Sequence, residues 1–393
     1  MNKQVFENKT ECCGCGACQA ICPKNAIEMV EDEYGFIYPR IDESKCVNCN
    51  LCKKTCAYMN PRKMNDEKKV YASVSKNDEN LKRSASGGVF YELANSIISD
   101  GGVVYGCSME YKNDKLTPKH IRVNNQENLK KLQGSKYVQS ECGNIYKLVK
   151  ADLINGKKVL FSGTPCQIEG VKSFLQYKEY ENLFLVDIIC HGVPSRKMFQ
   201  DYIENFEIEN NCKVKEFYFR DKDKGWGLFF KVVYEKNEKT EKTVKPSYES
   251  SFYQLFLDSS IYRENCYKCP YATENRNSDL TIGDFWGIGQ EHPDVDIDSK
   301  RGISCIIANS NKGKKIIEKY SVSLYNINSN FEKVARHNHQ LNKPSKLPKE
   351  RKVLMNMYKE KGYSKVDRLY CKTRLIKNFM KQIRDIIKRR CNG

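Results

Sequence analysis

The apolar residues Val89, Phe90, Leu93, Ala94, Ile97 and Ile98 recur at helical spacing and stop at Gly101-Gly102, which predicts a helix opened by Ser86-Gly87-Gly88 with Ser86 as its N-cap. Further along, the pattern alternates. Lys158 to Ser162 reads as a buried strand, Gly163-Thr-Pro-Cys166 as its terminal loop and Gln167 to Gln176 as a helix. The unit then repeats as strand Leu183 to Ile189, loop Cys190-His191-Gly192-Val193-Pro194 and a helix from Ser195. Strand, helix, strand in this order builds a parallel sheet. It sets Cys166 and Cys190 at the carboxyl ends of strands, the edge at which open α/β sheets bind ligands. A charged hairpin follows, Val214 to Arg220 and Gly227 to Tyr234 around a turn at 221–225. Lys236 to Lys245, almost wholly polar, reads as a solvated loop, and Leu280 to Trp286 as one more strand.

Cysteine usage changes the picture. Nine of the 19 cysteines lie between Cys12 and Cys56, a local device and not a disulfide scaffold. Cys12-x2-Cys15-x2-Cys18-x3-Cys22-Pro23 is the bacterial ferredoxin run, and Cys46-x2-Cys49-x2-Cys52-x3-Cys56 repeats it. Three cysteines at two-residue intervals wrap three corners of a cubane, and the fourth reaches the other cluster. The expected ligand sets are therefore Cys12, Cys15, Cys18 and Cys56 for one 4Fe-4S cluster and Cys46, Cys49, Cys52 and Cys22 for a second. Zinc also takes CxxC pairs, but four cysteines at spacings of 2, 2 and 3 are a ferredoxin signature. Gly14 and Gly16 suit a loop that approaches sulfide closely, Cys13 reads as a spectator thiol, and Ala57 stands where a proline usually follows the last cysteine. Residues 59–69, with Pro61 and six charges, read as a linker closing this unit.

Cys266 and Cys269 form a further CxxC before Pro270, and with Cys166 and Cys190 would make a third set of four. Buried cysteines also serve as small hydrophobes, and a lone CxxC can be a redox pair or half a zinc site. The glycine pair at 87–88 leaves amides beside the positive end of a helix dipole, which suits a phosphate; most such sites are ordinary caps.

Formal net charge is +18, and falls to roughly +12 if twelve cysteines are thiolates around three cubane cores. The lysines are spread along the chain and no recognition module interleaved with aromatic residues appears, which argues against nucleic acid as a partner. The N-terminal ten residues lack a signal-peptide apolar stretch and the longest apolar run, Leu183 to Cys190, is broken by Asp187, so a cytoplasmic protein without a membrane span is expected. Thr373 to Arg390 places Leu375, Phe379 and Ile383 opposite Lys377, Lys381 and Arg384; such a helix docks on its own domain or makes peripheral contact with anionic lipid.

Several motifs in order give the chain a family likeness: Ser84-Ala-Ser-Gly-Gly-Val-Phe90, Gly134-Ser-Lys-Tyr-Val-Gln-Ser140, Leu160-Phe-Ser-Gly-Thr-Pro-Cys-Gln167, Cys190-His-Gly-Val-Pro-Ser195, Arg220-Asp-Lys222 with Gly225-Trp226, and Cys266-x2-Cys269 leading to Ile282-Gly-Asp-Phe-Trp-Gly287. Over roughly residues 70–310 it resembles the family of coenzyme F420 hydrogenase/dehydrogenase beta subunits, in the bacterial form with an N-terminal double ferredoxin domain. The resemblance implies a third 4Fe-4S cluster on Cys166, Cys190, Cys266 and Cys269. It also implies a flavin, FAD or another, with phosphate contacts from Ser86, Gly87 and Gly88 and further flavin or substrate contacts from Ser135, Lys136 and Tyr137. The family's deazaflavin is not implied by any residue of this chain.

The expected fold is α+β and α/β: a double 4Fe-4S ferredoxin-type domain at 1–60, a mixed α/β flavin- and cluster-binding part in two regions at 70–150 and 151–335, and a basic helical tail at 336–393. The expected function is an iron–sulfur flavoprotein oxidoreductase passing electrons between ferredoxin-type clusters, a third cluster and a flavin to an organic substrate, with His191 as candidate proton donor. A redox partner such as a ferredoxin or a reductase or hydrogenase subunit is implied. The alternative is an electron-transfer subunit of a larger redox complex with no substrate site of its own.

Overall fold

The computed structural model describes residues 4–59, 68–295 and 298–373. Most of the 59–69 linker, and the amphipathic stretch beyond residue 373, lie outside the described residues.

The N-terminal unit is built from two short helices, Ala17–Ile21 and Leu51–Lys54, and a hairpin of β1 (Ile27–Glu31) with β2 (Ile37–Ile41). Each helix is preceded by left-handed residues at matching places in the two cysteine motifs: Gly14 and Gly16 in the first, Asn48 and Asn50 in the second. Glycine and asparagine are the residues that adopt this conformation at least cost.

The rest of the chain centres on an eight-stranded mixed sheet. Its strands are β3 (Lys69–Ser75), β4 (Val103–Lys112), β5 (Lys115–Val123), β6 (Val159–Gly163) and β7 (Leu183–Ile188), joined after a separate three-stranded sheet by three more. The separate sheet comprises β8 (Lys213–Tyr218), β9 (Phe229–Lys236) and β10 (Lys239–Pro246), and the large one is completed by β11 (Leu280–Asp284), β12 (Ser304–Ala308) and β13 (Leu324–Ser329). The order is β13-β3-β12-β11-β7-β6-β4-β5. β4, β6, β7 and β11 run parallel, so both regions expected at 70–150 and 151–335 contribute to one sheet.

Alternation along the central strands splits the core. Tyr105, Phe161 and Leu185 face helices Ile145–Ile154 and Pro165–Phe174, whereas Val104, Leu160 and Val186 face helices Val89–Ser99 and Asn311–Tyr320. A further core joins the ferredoxin hairpin to helix Arg196–Asn210, the small sheet and helix Arg351–Lys361, through Phe36, Tyr38, Phe199, Phe252 and Tyr358. Fully burying side chains of this size contributes roughly 1.5–3 kcal/mol each.

Two expectations are corrected. The stretch 236–245 is no loop: β10 pairs with β9 across a two-residue turn at Asn237 and Glu238, both with positive φ, as a tight hairpin requires. Its lysines, threonines and glutamate are mostly solvent-facing on an edge strand, which is why polarity concealed it. Helix Val89–Ser99 is capped by Gly88 at φ 82°, not by Ser86, whose hydroxyl donates instead to the Ile303 carbonyl at 2.8 Å.

Candidate cluster relay and cavity

In the first motif the left-handed glycines bend the chain so that Cys15 and Cys18 are buried and face Cys12 and Cys56. Burial pushes the Cys18 thiol far above its usual value, and the neighbouring Cys12 and Cys56 push in the same direction. Thiols this crowded ionise together only beside a compensating cation, which the core of a cubane supplies. The main-chain amides of Ala17 and Gln19 lie beside Cys15 and Cys18 and favour their thiolates, against the effect of burial. Cys22 leaves its own motif and lines a cavity of about 240 Å³ with Cys46, Cys49 and Cys52. Cys49 is exposed and Val47 beside it is 58% exposed, so this second set lies at the surface and the first lies inward.

The third set meets at the carboxyl edge of the sheet. Pro165 starts a helix at the end of β6 and sets Cys166 in its first turn, where Thr164 and Gln167 form a capping box and the Thr164 hydroxyl lies 3.1 Å from Cys166 Sγ. Cys190 follows β7, which is paired in parallel with β6. Cys266 and Cys269 come from the short turn Glu264–Lys268 and the residue after it. All four line one cavity of about 480 Å³. Burial pushes Cys269 up to about 11, with Cys166 adding to the effect, and pushes Cys190 and Cys266 higher still. The sulfurs stand around a space and do not close on a point: among the described residues no three His, Cys, Asp or Glu side chains are grouped tightly enough for a single metal ion. Cys13, read from the sequence as a spectator, is buried near Cys15 and Cys166, and Cys15 together with burial pushes its thiol pKa up.

The same cavity is lined by Ser86, Gly88, Val89 and Phe90 at the helix start, by Ser135, Lys136 and Tyr137, and by His191. Its volume suits a small organic cofactor or substrate. Gly87 serves the rim differently from the expectation of a free amide, since its N–H donates to Ser304 Oγ at 2.8 Å. A Cβ there would lie 2.2 Å from the Ser73 carbonyl oxygen, so the glycine permits the loop to press onto β3 and β12. Lys222 clamps this loop from outside, donating to the carbonyls of Leu81, Ser86 and Arg301 at 2.9, 2.6 and 2.7 Å. Burial pulls the Lys222 pKa down to about 7, against three carbonyl acceptors that favour the charged form.

Lys136 Nζ donates to the carbonyls of Gln133 and Lys131 at 2.7 and 3.1 Å, and burial lowers its pKa to about 8. The Tyr137 hydroxyl accepts from Arg220 Nη1 at 3.3 Å. Arg220 in turn grips Asp284 with two bonds, 2.8 and 3.2 Å, and Trp226 donates to the same carboxylate at 3.1 Å while its ring stacks on Trp286 at 4.7 Å. Asp284 is therefore spent on this girder. His191 lines the cavity and is exposed by accessible surface, while the protein packed around its ring desolvates it and lowers its pKa.

Sequence reasoning passed over His120. It is 1% exposed on β5 and lines the cavity, with Nε2 donating to the Ser162 carbonyl at 3.0 Å. That fixes Nδ1 as the acceptor of the Ser140 hydroxyl at 3.0 Å, and Gln167 donates to Ser140 at 2.9 Å. Also missed were the four side chains that grip the first cluster loop. Arg263 donates to the Cys12 carbonyl at 2.6 Å, Gln139 to that of Cys13 at 3.0 Å, Tyr146 to that of Cys15 at 2.8 Å, and Tyr271 to that of Ala57. The motif containing Gln139 was visible; its partner 126 residues away was not.

Among the described residues no helix is long and apolar enough to cross a membrane. Residues 156–330 match the family model for the C terminus of the coenzyme F420 hydrogenase/dehydrogenase beta subunit, and residues 11–60 match that for the 4Fe-4S dicluster domain. The F subunit of the F420H2 dehydrogenase of Methanosarcina mazei is 18% identical over 189 residues, 46% of this chain and 53% of that protein, so the match spans about half of the relative's length. An uncharacterized ferredoxin of Methanocaldococcus jannaschii is 34% identical over 56 residues, 14% of this chain and 71% of that one. Among solved structures, a chain of the F420-reducing NiFe hydrogenase complex of Methanosarcina barkeri aligns at 17% identity and a TM-score of 0.43, covering 79% of this chain and 93% of that chain. With both models matched in one polypeptide, the protein is an iron–sulfur electron-transfer protein with 4Fe-4S clusters in its dicluster domain, and its residues 156–330 are related to the C terminus of the coenzyme F420 hydrogenase/dehydrogenase beta subunit.

Proposed function

We propose that the chain is a flavin-dependent iron–sulfur oxidoreductase in which electrons cross from the surface to an internal substrate cavity. The observation that carries this reading is the 480 Å³ cavity, lined at once by Cys166, Cys190, Cys266 and Cys269, by a helix start, and by Cys13 of the ferredoxin unit. Redox partners exchange electrons at the exposed face of Cys46, Cys49, Cys52 and Cys22. The set of Cys12, Cys15, Cys18 and Cys56 carries them inward, and the third set delivers them beside the cavity. A flavin bound there would convert one-electron into two-electron chemistry, which clusters alone do not do.

The residues supporting such a group are the amides opening helix Val89–Ser99, which are suited to a phosphate, and Ser135, Lys136 and Tyr137, which line the same cavity. Ile188, 40% exposed although apolar, adds a hydrophobic patch to the cavity wall. The Arg220–Asp284–Trp226 girder keeps the wall rigid. His191 is the side chain placed to hold a proton at the substrate.

Anaerobic purification with iron counting and acid release of flavin tests the reading. It should give about 12 irons and one flavin per chain, and about 8 irons with no flavin would contradict it. His191→Ala should keep both cofactors and slow substrate-linked flavin reduction; an unchanged rate ends its role as acid.

A further inference from the structure

Arg263 is 0% exposed and is among the largest fully buried side chains of the protein. Its guanidinium has no carboxylate within ion-pair distance among the described residues. It donates from Nε to the Cys12 carbonyl at 2.6 Å and from Nη1 to Gln139 Oε1 at 3.2 Å, while Nη2 is buried without a partner. The charge lies 4.0 Å from the centre of the Tyr38 ring, and the Arg263 carbonyl accepts from the Cys266 amide at 3.0 Å. The side chain thus reaches into the first cysteine set from a main chain that leads, three residues on, into the third. Leaving a guanidinium dry and unpaired is costly. A cubane with four thiolates is anionic, and two such groups flanking this charge would repay that cost.

We propose that Arg263 is the shared counter-charge and positioning residue of the junction at which electrons cross between the cluster on Cys12, Cys15, Cys18 and Cys56 and the cluster on Cys166, Cys190, Cys266 and Cys269. The proposal rests on the relay described above. In the crossing one cluster is oxidised and the other reduced by a single electron, no bond is made or broken, and Arg263 stays protonated, so no proton moves. A fixed positive charge beside both favours the reduced form of each, and its grip on the Cys12 carbonyl holds their separation. Gly14 belongs to the same device: a Cβ there would lie 2.5 Å from Gln139 Nε2 and 3.0 Å from Arg263 Nη1, so only glycine lets the pair close on the loop. The Cys13 thiol is buried beside Cys15 and lines the same cavity as Cys166, between the two sets.

The test is an EPR-monitored redox titration of the anaerobically purified holoprotein, with signals assigned by Cys-to-Ala variants of each set. Arg263→Gln should lower the midpoints of the first and third clusters and leave the surface cluster on Cys46, Cys49 and Cys52 in place. Unchanged midpoints, or one equal shift of all three, would overturn the proposal. If Arg263→Gln loads less iron than wild type, Arg263→Lys decides: its ammonium cannot reach both partners, so at least one of the two midpoints must fall, and two unmoved midpoints would overturn the proposal. A wild-type protein with about 8 irons would instead remove the third cluster, a failure of the underlying relay distinguishable from any outcome for Arg263.

Discussion

His120 is held neutral by its surroundings: burial lowers its pKa to about 4, and the ring already spends one nitrogen on a carbonyl and the other on a hydroxyl. The sign of the linkage follows. The unfolded imidazole, near 6.5, binds a proton that the folded one refuses, so stability from this residue is complete above pH 6.5 and is lost as pH falls toward 4. The loss is on the order of 3 kcal/mol across that window. Anaerobic melts at pH 7 and pH 5 should therefore show a larger acid-induced drop in Tm for wild type than for His120→Gln; equal drops would contradict the assignment. At this scale the cysteines were legible because ligand spacing is local. Asn48 and Asn50 were equally available, occupying in the second motif the places of Gly14 and Gly16, and the duplication itself was the signal. His120 carried no such sign, since Ser140, Ser162 and Gln167 reach it only through the sheet.

At the scale of elements, the loop from Ser84 to Gly88 is pinned from both sides, by β3 and β12 beneath and by Lys222 above. Gly87→Ala would press a methyl group to 2.2 Å from the Ser73 carbonyl and 2.6 Å from the Ser304 amide nitrogen. We expect a loss of about 1–3 kcal/mol, with reduced flavin retention. Gly289→Ala, in helix Ile288–Glu291 with nothing within 4 Å, should be neutral or slightly stabilising. Comparable melts for the two variants would refute the packing argument. The βαβ units were readable because apolar alternation and caps are local. β10 was not, because an exposed edge strand has no buried face to announce it. Ser86 failed as a cap for a related reason: the hydroxyl found a better acceptor at Ile303, more than two hundred residues away.

Across the whole molecule, the ferredoxin unit is bolted to the α/β domain at its inner cysteine set, where four side chains take the carbonyls of residues 12, 13, 15 and 57, and Cys49 of the outer set is exposed. In the proposed relay that polarity lays the path from exposed Cys49 to the cavity at the sheet edge. The cysteine inventory was visible in the sequence, but which of the two ferredoxin sets lies inward was not, because that depends on contacts such as Tyr271 with Ala57 that join distant segments. Stoichiometric reduction measures the path directly. Anaerobic titration of the purified holoprotein with a low-potential reductant should consume about five electrons per chain, one for each of three clusters and two for a flavin. Saturation at about two electrons, with no flavin bleaching, would contradict the account.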